Sequence, residues 1–576
     1  MRTVSSEVEE PSTGSPPPFL FQLLSESGRA LSLSVPVFLW AIFLAALCHI
    51  LYSRLGFNPT DDGLQLAFSR RILDGEIPHR DFISVRPALC YWLWAPLVAS
   101  RADSLILISR AIVWLEWATI AGIWTSRAFR DIASTRTTLT EILVFCSLLF
   151  FLNAYTFPVM AWHTIDGIFL VSVALWLAEP ARPFWLRCCG YFLLGCAPLA
   201  KQSFIALPVL LLFFSQDRRR LLPWLCVFTP AAFYFGWLAY EDAVIPAFTQ
   251  LTAQRNFFTA AFAVYPLRYP TFSLSVASGV VLLYILRRPG HARPIKQGRW
   301  LLMGAYALFL LLPLLHLWYP EAFSIHLFGL LLGIVLGLAL FRSSHVKLQE
   351  SFSRFAALLV QATVLAWSAA ISRAVNYPAL ATGILWVVFT AVFHSTFFAP
   401  RLLPTTRKVL VLMSALFLAT AFHYQRTHAL LYRESPASAL TAPLDTILPG
   451  AKGIRTNPRT AAMLAELKDL VTSYGVGTTR IAILPDCAAW WILSPAKNPL
   501  PLLWDNEVEL PNDTLRQHAC QEIEKRRHTV TVLVTRYETD SLATTLRPLA
   551  PRYPLTQYVR THWSKVGETC FFEIYE

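Results

Sequence analysis

Hydrophobic and polar positions alternate along this chain in long blocks rather than with the short period of a soluble helix or strand. Apolar runs of about 17–22 residues, the length that crosses a bilayer as a helix, recur between residues 31 and 424. They predict about thirteen membrane-spanning helices. The predicted spans are 31–52, 105–125, 138–157, 164–179, 184–200, 203–215, 221–240, 271–286, 300–317, 323–341, 355–372, 379–398 and 408–424.

The first residues, 1–30, follow a different pattern. They are polar and rich in Pro, Ser and Glu, which predicts a disordered N-terminal segment. A basic stretch followed by a short apolar stretch and a cleavage site is not evident there, so we expect no removable signal peptide.

The tail at 440–576 changes pattern again. Helix-like and strand-like stretches alternate in it, which predicts a small α/β domain after a transmembrane region at 31–425. The helix-like stretches are 459–474 and 513–527, and the strand-like stretches are 480–484, 529–535 and 570–575.

Composition supports a membrane protein. Hydrophobic residues make up 55% of the 576 positions and charged residues 15%, whereas a soluble domain carries about 25% charged residues. The 49 Lys and Arg exceed the 36 Asp and Glu, giving a net charge of +13. These basic residues cluster in short stretches between apolar runs, which indicates cytoplasmic membrane loops and not nucleic-acid binding.

The same clusters predict an orientation. If the N-terminus is cytoplasmic, alternate loops carry nearly all of the basic clusters, as the positive-inside rule requires. This holds only if the segment 87–100 lies along the outer interface, helped by Tyr91, Trp92 and Trp94, instead of crossing. The first outer loop is then 53–104, and the C-terminal domain is extracytoplasmic, at a bacterial inner (cell) membrane. The cytoplasmic clusters are Arg127/Arg130/Arg136, Arg182/Arg187, Arg218/Arg219/Arg220, Arg287/Arg288/Arg293/Lys296/Arg299, Arg342/Lys347/Arg354 and Arg401/Arg407/Lys408.

Two features of the tail give little information about function. Gly475-Val476-Gly477 is too short for a dinucleotide-binding fingerprint. Cys487, Cys520 and Cys570 lie in the predicted outer domain, where a disulfide is permitted. One pair and one free thiol are expected, and the sequence does not select the pair.

The most informative stretch is in the first outer loop. Asp61 and Asp62 follow the first span directly, where carboxylates are costly near lipid unless they are solvated or used. A solvated N-cap is the alternative, because Thr60, Asp61 and Asp62 precede a helical pattern.

The stretch resembles a known family. The acidic pair, then "RRILDGEIPHRDF", then Arg86-Pro87 ahead of an aromatic interfacial helix, is similar to the GT-C superfamily of polyprenyl-phosphate-dependent glycosyltransferases. That superfamily includes the lipid A aminoarabinose transferase and the protein O-mannosyltransferases. The resemblance implies an α-helical polytopic membrane fold with about thirteen spans and a C-terminal outer domain.

The resemblance also implies roles for three acids. Asp61 matches the first-loop catalytic acid, which acts as a general base or orients the acceptor. Asp62 matches the second acid, for acceptor orientation or a divalent cation, although better-known relatives have Asp-Glu here. Asp166, in Trp162-His163-Thr164-Ile165-Asp166, resembles the second-loop acid; a helix cap is the alternative.

Three cations are candidates to hold the phosphate of the donor. Lys201, next to Gln202, interrupts an apolar run at the predicted outer surface, and a snorkelling lysine is the alternative. Arg86 is the second candidate and Arg255 a weaker third. His163 is a further candidate for substrate binding.

A cluster of aromatic and polar residues follows at a later outer turn, and relatives carry a similar one. Tyr319, Glu321 and His326 are candidate substrate-binding residues there, with ordinary interface aromatics as the alternative for Tyr319. The spacing of His316 and His326 matches no compact zinc pattern.

The predicted function is therefore inverting transfer of a sugar from a polyprenyl-phosphate donor to an acceptor hydroxyl on the extracytoplasmic face. The acceptor is an unidentified glycan, lipid or protein, and a divalent cation is the one candidate cofactor. Two alternatives remain: a transporter or flippase for a lipid-linked saccharide, and a non-catalytic envelope assembly protein. The outward charges and the lack of an evident internal repeat favour chemistry over transport.

Overall fold

A computed structural model describes residues 19–132, 137–155, 157, 159–254, 269–287, 299–340, 350–371, 378–428, 433–475 and 480–576. The chain is mostly helical, with a small sheet near the C-terminus. The first ten helices are α1 Phe19–Tyr52, α2 Leu64–Leu73, α3 Leu89–Ala99, α4 Leu105–Ile132, α5 Leu139–Tyr155, α6 His163–Leu177, α7 Phe184–Ala200, α8 Ala206–Phe213, α9 Leu221–Tyr240 and α10 Val244–Thr252.

The later helices complete the bundle and enter the C-terminal region. They are α11 Pro270–Arg287, α12 Arg299–Leu311, α13 Leu314–Trp318, α14 Pro320–Leu340, α15 Glu350–Ala370, α16 Thr382–Phe393, α17 Pro404–Thr427, α18 Pro458–Tyr474, α19 Asp513–Glu524 and α20 Pro554–His562. Helix α1 begins at Phe19, upstream of the predicted start at residue 31, and residues 1–18 of the predicted disordered segment lie outside the described residues.

Six helical segments in the described part of the chain are long and apolar enough to cross a membrane, which suggests a membrane protein. Further apolar helices of 10–17 residues lie between them. The six segments are Leu33–Tyr52, Leu105–Arg130, Leu221–Tyr240, Trp300–Trp318, Pro320–Leu338 and Pro404–Thr427.

Tryptophans join the first helices of the bundle. The indole N–H of Trp124 in α4 donates to the Ser172 hydroxyl of α6 at 2.9 Å, and that of Trp114 donates to Ser53 at 2.9 Å. A buried indole needs such a partner, because its N–H cannot be left unpaired in apolar surroundings without cost. These contacts place α4 at the centre of the first half of the bundle.

The C-terminal sheet has the strand order β3-β4-β6-β5. Strands β3 (Arg480–Leu484) and β4 (Val530–Thr535) are parallel, whereas β6 (Phe572–Tyr575) runs antiparallel to β4 and to β5 (Lys565–Glu568). The three strand-like stretches predicted from the sequence correspond to β3, β4 and β6. Strand β5 was not predicted, because its four residues are charged or small and mostly exposed. A two-stranded ribbon, β1 (Ala442–Pro443) with β2 (Arg455–Thr456), precedes the sheet.

The expectation of a disulfide in this region is wrong. Cys487, Cys520 and Cys570 are all free thiols, and they lie respectively in buried, half-buried and exposed positions. Burial raises the pKa of the Cys487 thiol, with the Asp486 charge adding to the effect. Cys487 therefore behaves as a small apolar residue.

The loop at 53–104 is packed against the C-terminal region at several points. Backbone hydrogen bonds join Gly56 N–H to the Arg455 carbonyl at 2.9 Å and Ile83 N–H to the Pro501 carbonyl at 2.6 Å. The guanidinium of Arg71 also donates to the Leu500 carbonyl at 2.8 Å. The first loop and the last 140 residues therefore form a single packed layer above one end of the bundle.

The first loop and the C-terminal region approach each other very closely at Gly63. It has a φ of +115° and precedes α2, and a Cβ built on it would lie 2.7 Å from Ile492 Cδ1 and 3.0 Å from Ala489 Cα. Only glycine has both the backbone freedom and the small size that this turn requires.

We expect Gly63→Ala to weaken this packing more than Gly75→Ala does. Gly75 also has a positive φ, +84°, but a Cβ there would meet nothing within 4 Å. Both changes carry backbone strain of about 1–2 kcal/mol, and Gly63→Ala adds an overpacking cost of about 1–3 kcal/mol. Thermal melting of the purified variants in detergent measures the difference. Equal losses in the two variants would show that the close approach at Gly63 does not stabilise the layer.

Candidate functional site

The two adjacent acids of the first loop point to different partners. The Asp62 carboxylate accepts a hydrogen bond from Arg110 of α4 at 2.6 Å, and both side chains are buried. Arg110 also donates to the carbonyls of Ser53 and Gly56, at 2.7 and 2.8 Å. Asp62 therefore fastens the loop to the helix bundle.

The N-cap alternative for these residues is wrong. Helix α2 starts at Leu64 with Gly63 as its N-cap, and no side chain caps it. Asn58 instead accepts the backbone N–H groups of Thr60 and Asp61, at 3.0 and 2.9 Å, and so forms a tight polar turn. This turn directs Asp61 away from α2.

Asp61 faces the C-terminal region. It is 1% exposed, and its Oδ2 accepts a hydrogen bond from Arg433 Nη1 at 2.8 Å. Arg433 follows the last bundle helix, α17, and its guanidinium lies 5.7 Å from the centre of the Trp504 ring. An arginine that precedes the sheet domain thus pairs with the predicted catalytic acid.

A third buried acid lies beside this pair. Asp486 lies two residues after the end of β3 and accepts hydrogen bonds from the hydroxyls of Thr60, at 2.5 Å, and Thr539, at 2.9 Å. Burial raises its pKa to about 6, an effect that the two hydroxyls and the Arg433 charge reduce and the Asp61 charge increases.

Arg86 lies on the other side of Asp61. Its side chain is 12% exposed, and its guanidinium donates to Glu509 Oε1 at 2.7 Å. Burial acts to lower the pKa of Arg86, but the carboxylate charges of Glu509 and Asp61 outweigh it, so the pKa lies above its ordinary value. Arg86 therefore carries its charge at every physiological pH.

Lys201 is buried, which excludes the snorkelling alternative. It is 6% exposed, and its ammonium donates to Thr164 Oγ1 of α6 at 3.1 Å. Burial, with a smaller effect of the Arg86 charge, lowers its pKa to about 7. The next residue, Gln202, donates to the Val85 carbonyl at 2.7 Å and so places the α7–α8 break against the backbone beside Arg86.

His163 completes this basic group. It is the first residue of α6 and is buried, and its Nδ1 lies 3.2 Å from the Gln65 amide nitrogen of α2. The positively charged side chains of Arg86 and Lys201 lie close enough to the His163 ring to interact with it electrostatically. The structure thus brings together His163, Arg86, Lys201 and Asp61, which are far apart in the sequence.

Asp166 lies below this group, inside the bundle. It is in the first turn of α6, but Trp162 is the N-cap residue and no side chain caps the helix. Its Oδ2 accepts from the Trp94 indole at 3.2 Å. The carboxyl of Glu116 in α4 lies close enough to that of Asp166 for the two groups to interact.

The remaining predicted residues lie elsewhere. Tyr319 and Glu321 flank the first residue of α14, and Tyr319 is 67% exposed. His326 is hydrogen-bonded to Ser275 and Thr271 of α11, at 2.9 and 3.2 Å, and so links two helices of the bundle. Arg255 lies outside the described residues.

The two acids that are candidates to hold a divalent cation are both paired with arginines. Asp61 pairs with Arg433, and Asp62 pairs with Arg110. In the described parts of the chain, His, Cys, Asp and Glu nowhere form a group of three or more that could hold a metal ion.

Several residues of this group were missed by sequence reasoning. Arg433, Glu509 and Arg110 are ordinary basic and acidic positions in sequence, and their partners lie far away along the chain. Asp486 did carry a signal, since it lies two residues after a buried strand, and functional side chains often follow the ends of such strands.

Comparison with known proteins identifies no relative: no family model, no curated protein and no solved structure matches this chain.

We expect Asp486 to make the stability of the protein depend on pH. Its native pKa of about 6 exceeds its ordinary value of 3.8, so the native state binds the proton more tightly than the unfolded state. The contribution of Asp486 to the free energy of unfolding is therefore complete below pH 4. It falls by about 3 kcal/mol in all as the pH rises to 6.

Asp486→Asn removes this titration. Its melting temperature should rise relative to wild type as the pH goes from 4 to 7. Asp513→Asn, which removes an exposed carboxylate of the same domain, should show a difference from wild type that does not change with pH. A constant difference in the Asp486 variant would contradict the raised pKa.

Proposed function

We propose that this protein is a membrane glycosyltransferase of the GT-C type. It transfers a sugar from a polyprenyl-phosphate donor to an acceptor hydroxyl, with inversion, on the side of the membrane that the C-terminal domain occupies. The observation that supports the proposal is the group formed by the buried Asp61, His163 and Lys201 and the partly buried Arg86. These residues meet where the first loop, two bundle helices and the C-terminal domain converge.

The proposal includes an arrangement of the chain in the membrane. The chain enters the membrane from a cytoplasmic N-terminus and crosses it about thirteen times. The long and the shorter apolar helices, apart from α3, provide these crossings, and α3 lies in the interface through Tyr91, Trp92 and Trp94. The C-terminal domain is then extracytoplasmic.

The cations are suited to the leaving group. When the bond between the anomeric carbon and the phosphate oxygen breaks, its electron pair remains on the polyprenyl phosphate. Arg86 and Lys201, already buried and close to each other, stabilise that growing negative charge without having to reorganise. Since the pKa of Lys201 is about 7, an arriving phosphate also favours its charged form.

Asp61 is suited to the acceptor. The acceptor oxygen attacks the anomeric carbon from the face opposite the phosphate, and its proton passes to the Asp61 carboxylate. The hydrogen bond from Arg433 holds this carboxylate in place before the acceptor arrives. A neutral acceptor hydroxyl and an ionised donor thus yield a glycoside, polyprenyl phosphate and a protonated acid.

A transporter for a lipid-linked saccharide is the second candidate. Lys201 and the Asp166–Glu116 pair favour it, because ionisable residues between membrane helices often belong to a transport path. The first loop and the C-terminal domain close together over this region, however, which favours a reaction at one surface.

The first test is sugar release by the purified protein in detergent. A panel of radiolabelled polyprenyl-phosphate sugars is offered with candidate acceptors, and wild type is compared with Asp61→Asn. We expect a fall of about 10²–10⁴-fold in the rate of transfer, because the proton acceptor is lost. Asp81→Asn is the control, since Asp81 is an exposed acid of the same loop that pairs with Arg80.

Equal transfer by wild type and Asp61→Asn would overturn the role of Asp61. If wild type transfers no sugar from any donor but moves donors across proteoliposomes, the transporter is supported instead. A protein that does neither, and tolerates changes at Asp61, acts in envelope assembly.

Lys201→Met should act on the donor phosphate. We expect transfer to fall by about 10²–10³-fold, because one fixed positive charge at the leaving group is lost. Thr164→Val, which removes only the hydroxyl that receives the Lys201 hydrogen bond, should have a smaller effect. The measurement is kcat/KM for the donor, made with both variants. If Thr164→Val lowers kcat/KM more than Lys201→Met does, Lys201 acts only through its position.

A further inference from the structure

Glu509 brings a negative charge into the basic group around Lys201. It belongs to the C-terminal region, and its Oε1 accepts the hydrogen bond from Arg86 Nη1 at 2.7 Å. The Glu509 side chain is 4% exposed, so water and salt screen its charge only weakly. A carboxylate opposes the attraction of neighbouring cations for phosphate, so Glu509 affects how tightly this site holds a phosphate group.

A tight turn fixes Glu509 from the side of the C-terminal region. Asn506 Oδ1 accepts the backbone N–H groups of Val508 and Glu509, at 2.6 and 2.9 Å. The amide of Gln254, which lies just after α10, donates to the Val508 carbonyl at 2.7 Å. The turn that carries the carboxylate is therefore held on two sides.

Arg86 is fixed from the side of the first loop. Its carbonyl accepts a hydrogen bond from Ser84 Oγ at 2.7 Å, and the carbonyl of Val85 accepts one from Gln202 at 2.7 Å. The Ser84 N–H donates to Gln250 of α10 at 2.9 Å. Helix α10 and the residues just after it thus contact the segments on both sides of the ion pair.

The ion pair uses only part of the Arg86 guanidinium. Arg86 donates to Glu509 through Nη1, and its Nε and Nη2 make no hydrogen bond to a residue that the structure describes. A bidentate pair would instead occupy two N–H groups at one edge of the guanidinium. Since the Arg86 side chain is 12% exposed, the pair does not seal it off, and N–H groups remain for a second anion.

Glu509 has no second counter-ion in the described parts of the chain. Its Oε2 is buried there without a hydrogen-bond partner, and Arg86 is its salt-bridge partner. Asp61, whose charge also acts on Arg86, differs because it is paired with Arg433 at 2.8 Å. When a phosphate group binds Arg86, the charge of Glu509 is therefore the less compensated of the two, and it repels that phosphate.

The two lipid phosphates of the proposed reaction differ in charge. The donor is a phosphodiester with a single negative charge. The polyprenyl phosphate that leaves is a monoester with a second pKa near 6, so it carries about −1.5 to −2 charges at pH 7. A site made of Arg86 and Lys201 alone would hold this product more tightly than the donor, whereas a fixed carboxylate repels the product more than the donor.

We propose that Glu509 promotes the release of polyprenyl phosphate from this site. Its fixed carboxylate lowers the affinity for the more highly charged product more than the affinity for the donor, so that the product leaves and the next donor binds. It thereby moderates cations that would otherwise stabilise the bound product as well as the transition state. The inference rests on the proposed glycosyl transfer, and it makes the C-terminal domain part of the phosphate site.

The test is binding of two synthetic lipids to the full-length protein in detergent, measured by isothermal titration calorimetry at neutral pH. One lipid is undecaprenyl phosphate, a monoester, and the other is its methyl ester, a phosphodiester with a single negative charge. Neither lipid carries a sugar, so the measurement does not depend on transfer. In the wild type we expect the monoester to bind no more tightly than the diester. Tighter binding of the monoester would overturn the inference without the use of any variant.

Glu509→Gln removes the charge and keeps an oxygen that can accept the hydrogen bond from Arg86. We expect this variant to bind the monoester about tenfold more tightly than wild type, and the diester about threefold more tightly or less, because repulsion scales with charge. Glu509→Asp keeps the charge and should bind both lipids within about threefold of wild type.

Glu573→Gln is the matched control. Glu573 is an acid of the same domain with its own arginine partner, Arg560, at 2.8 Å. This variant should bind both lipids like wild type. Melting temperatures of all the variants confirm that they are folded.

The outcomes separate this inference from the proposed function. If Glu509→Gln fails to tighten binding of the monoester, tightens both lipids equally, or is matched by Glu509→Asp, the inference is overturned, even where the wild type transfers sugar. If the expected shifts are found but the wild type transfers no sugar from any donor, Glu509 still sets the charge preference of a lipid-phosphate site, and the proposed glycosyl transfer fails. If the wild type binds neither lipid, the inference and the proposed phosphate site are overturned together.

Discussion

Two consecutive carboxylates, each neutralised by an arginine from a different part of the chain, hold this structure together at its centre. Asp62 pairs with Arg110 of the bundle, and Asp61 pairs with Arg433 at the entrance to the C-terminal domain. Removal of one partner of a buried ion pair costs about 3–5 kcal/mol, because the other charge is left uncompensated. The tight turn at Asn58 thus works as a two-sided clamp between the bundle and the sheet domain.

Glu434 extends this clamp. Its buried carboxylate accepts hydrogen bonds from Phe57 N–H, Thr456 and Asn457, at 3.0, 2.7 and 2.6 Å. One side chain therefore fixes the first loop, the second strand and the start of α18 relative to each other. Because these hydrogen bonds are buried and are made to a carboxylate, they stabilise this arrangement more strongly than neutral hydrogen bonds would.

The sequence predicted the helical membrane class, three strands of the sheet and four members of the charged group: Asp61, Arg86, His163 and Lys201. Charged residues stand out in an apolar background, so Lys201 and Asp61 were easy to find. Arg433, Glu509 and Asp486 lie in a domain of ordinary polar composition, where nothing local distinguishes a buried ion pair from a solvated one. The role of Asp62 also could not be predicted, because it depends on which arginine the fold brings to it.

Other differences have local causes. Gly63 adopts a left-handed backbone and so takes the capping position that the polar pattern assigned to Thr60, Asp61 and Asp62. Asp166 was expected at a helix start, and it is there, but its partners Trp94 and Glu116 come from two other helices. Such contacts arise from packing and leave no trace in residue spacing.

The distance along the chain between clamp partners sets the order in which the molecule can mature. Asp61 and Arg433 are 372 positions apart, and Thr60 and Asp486 are 426 positions apart. During synthesis the first loop emerges early, and Asp62 can pair with Arg110 as soon as α4 has been made. Thr60 and Asp61 must wait for their partners Asp486 and Arg433 until most of the polypeptide has been made. A ribosome that stops before the last domain therefore leaves one side of the turn unpaired.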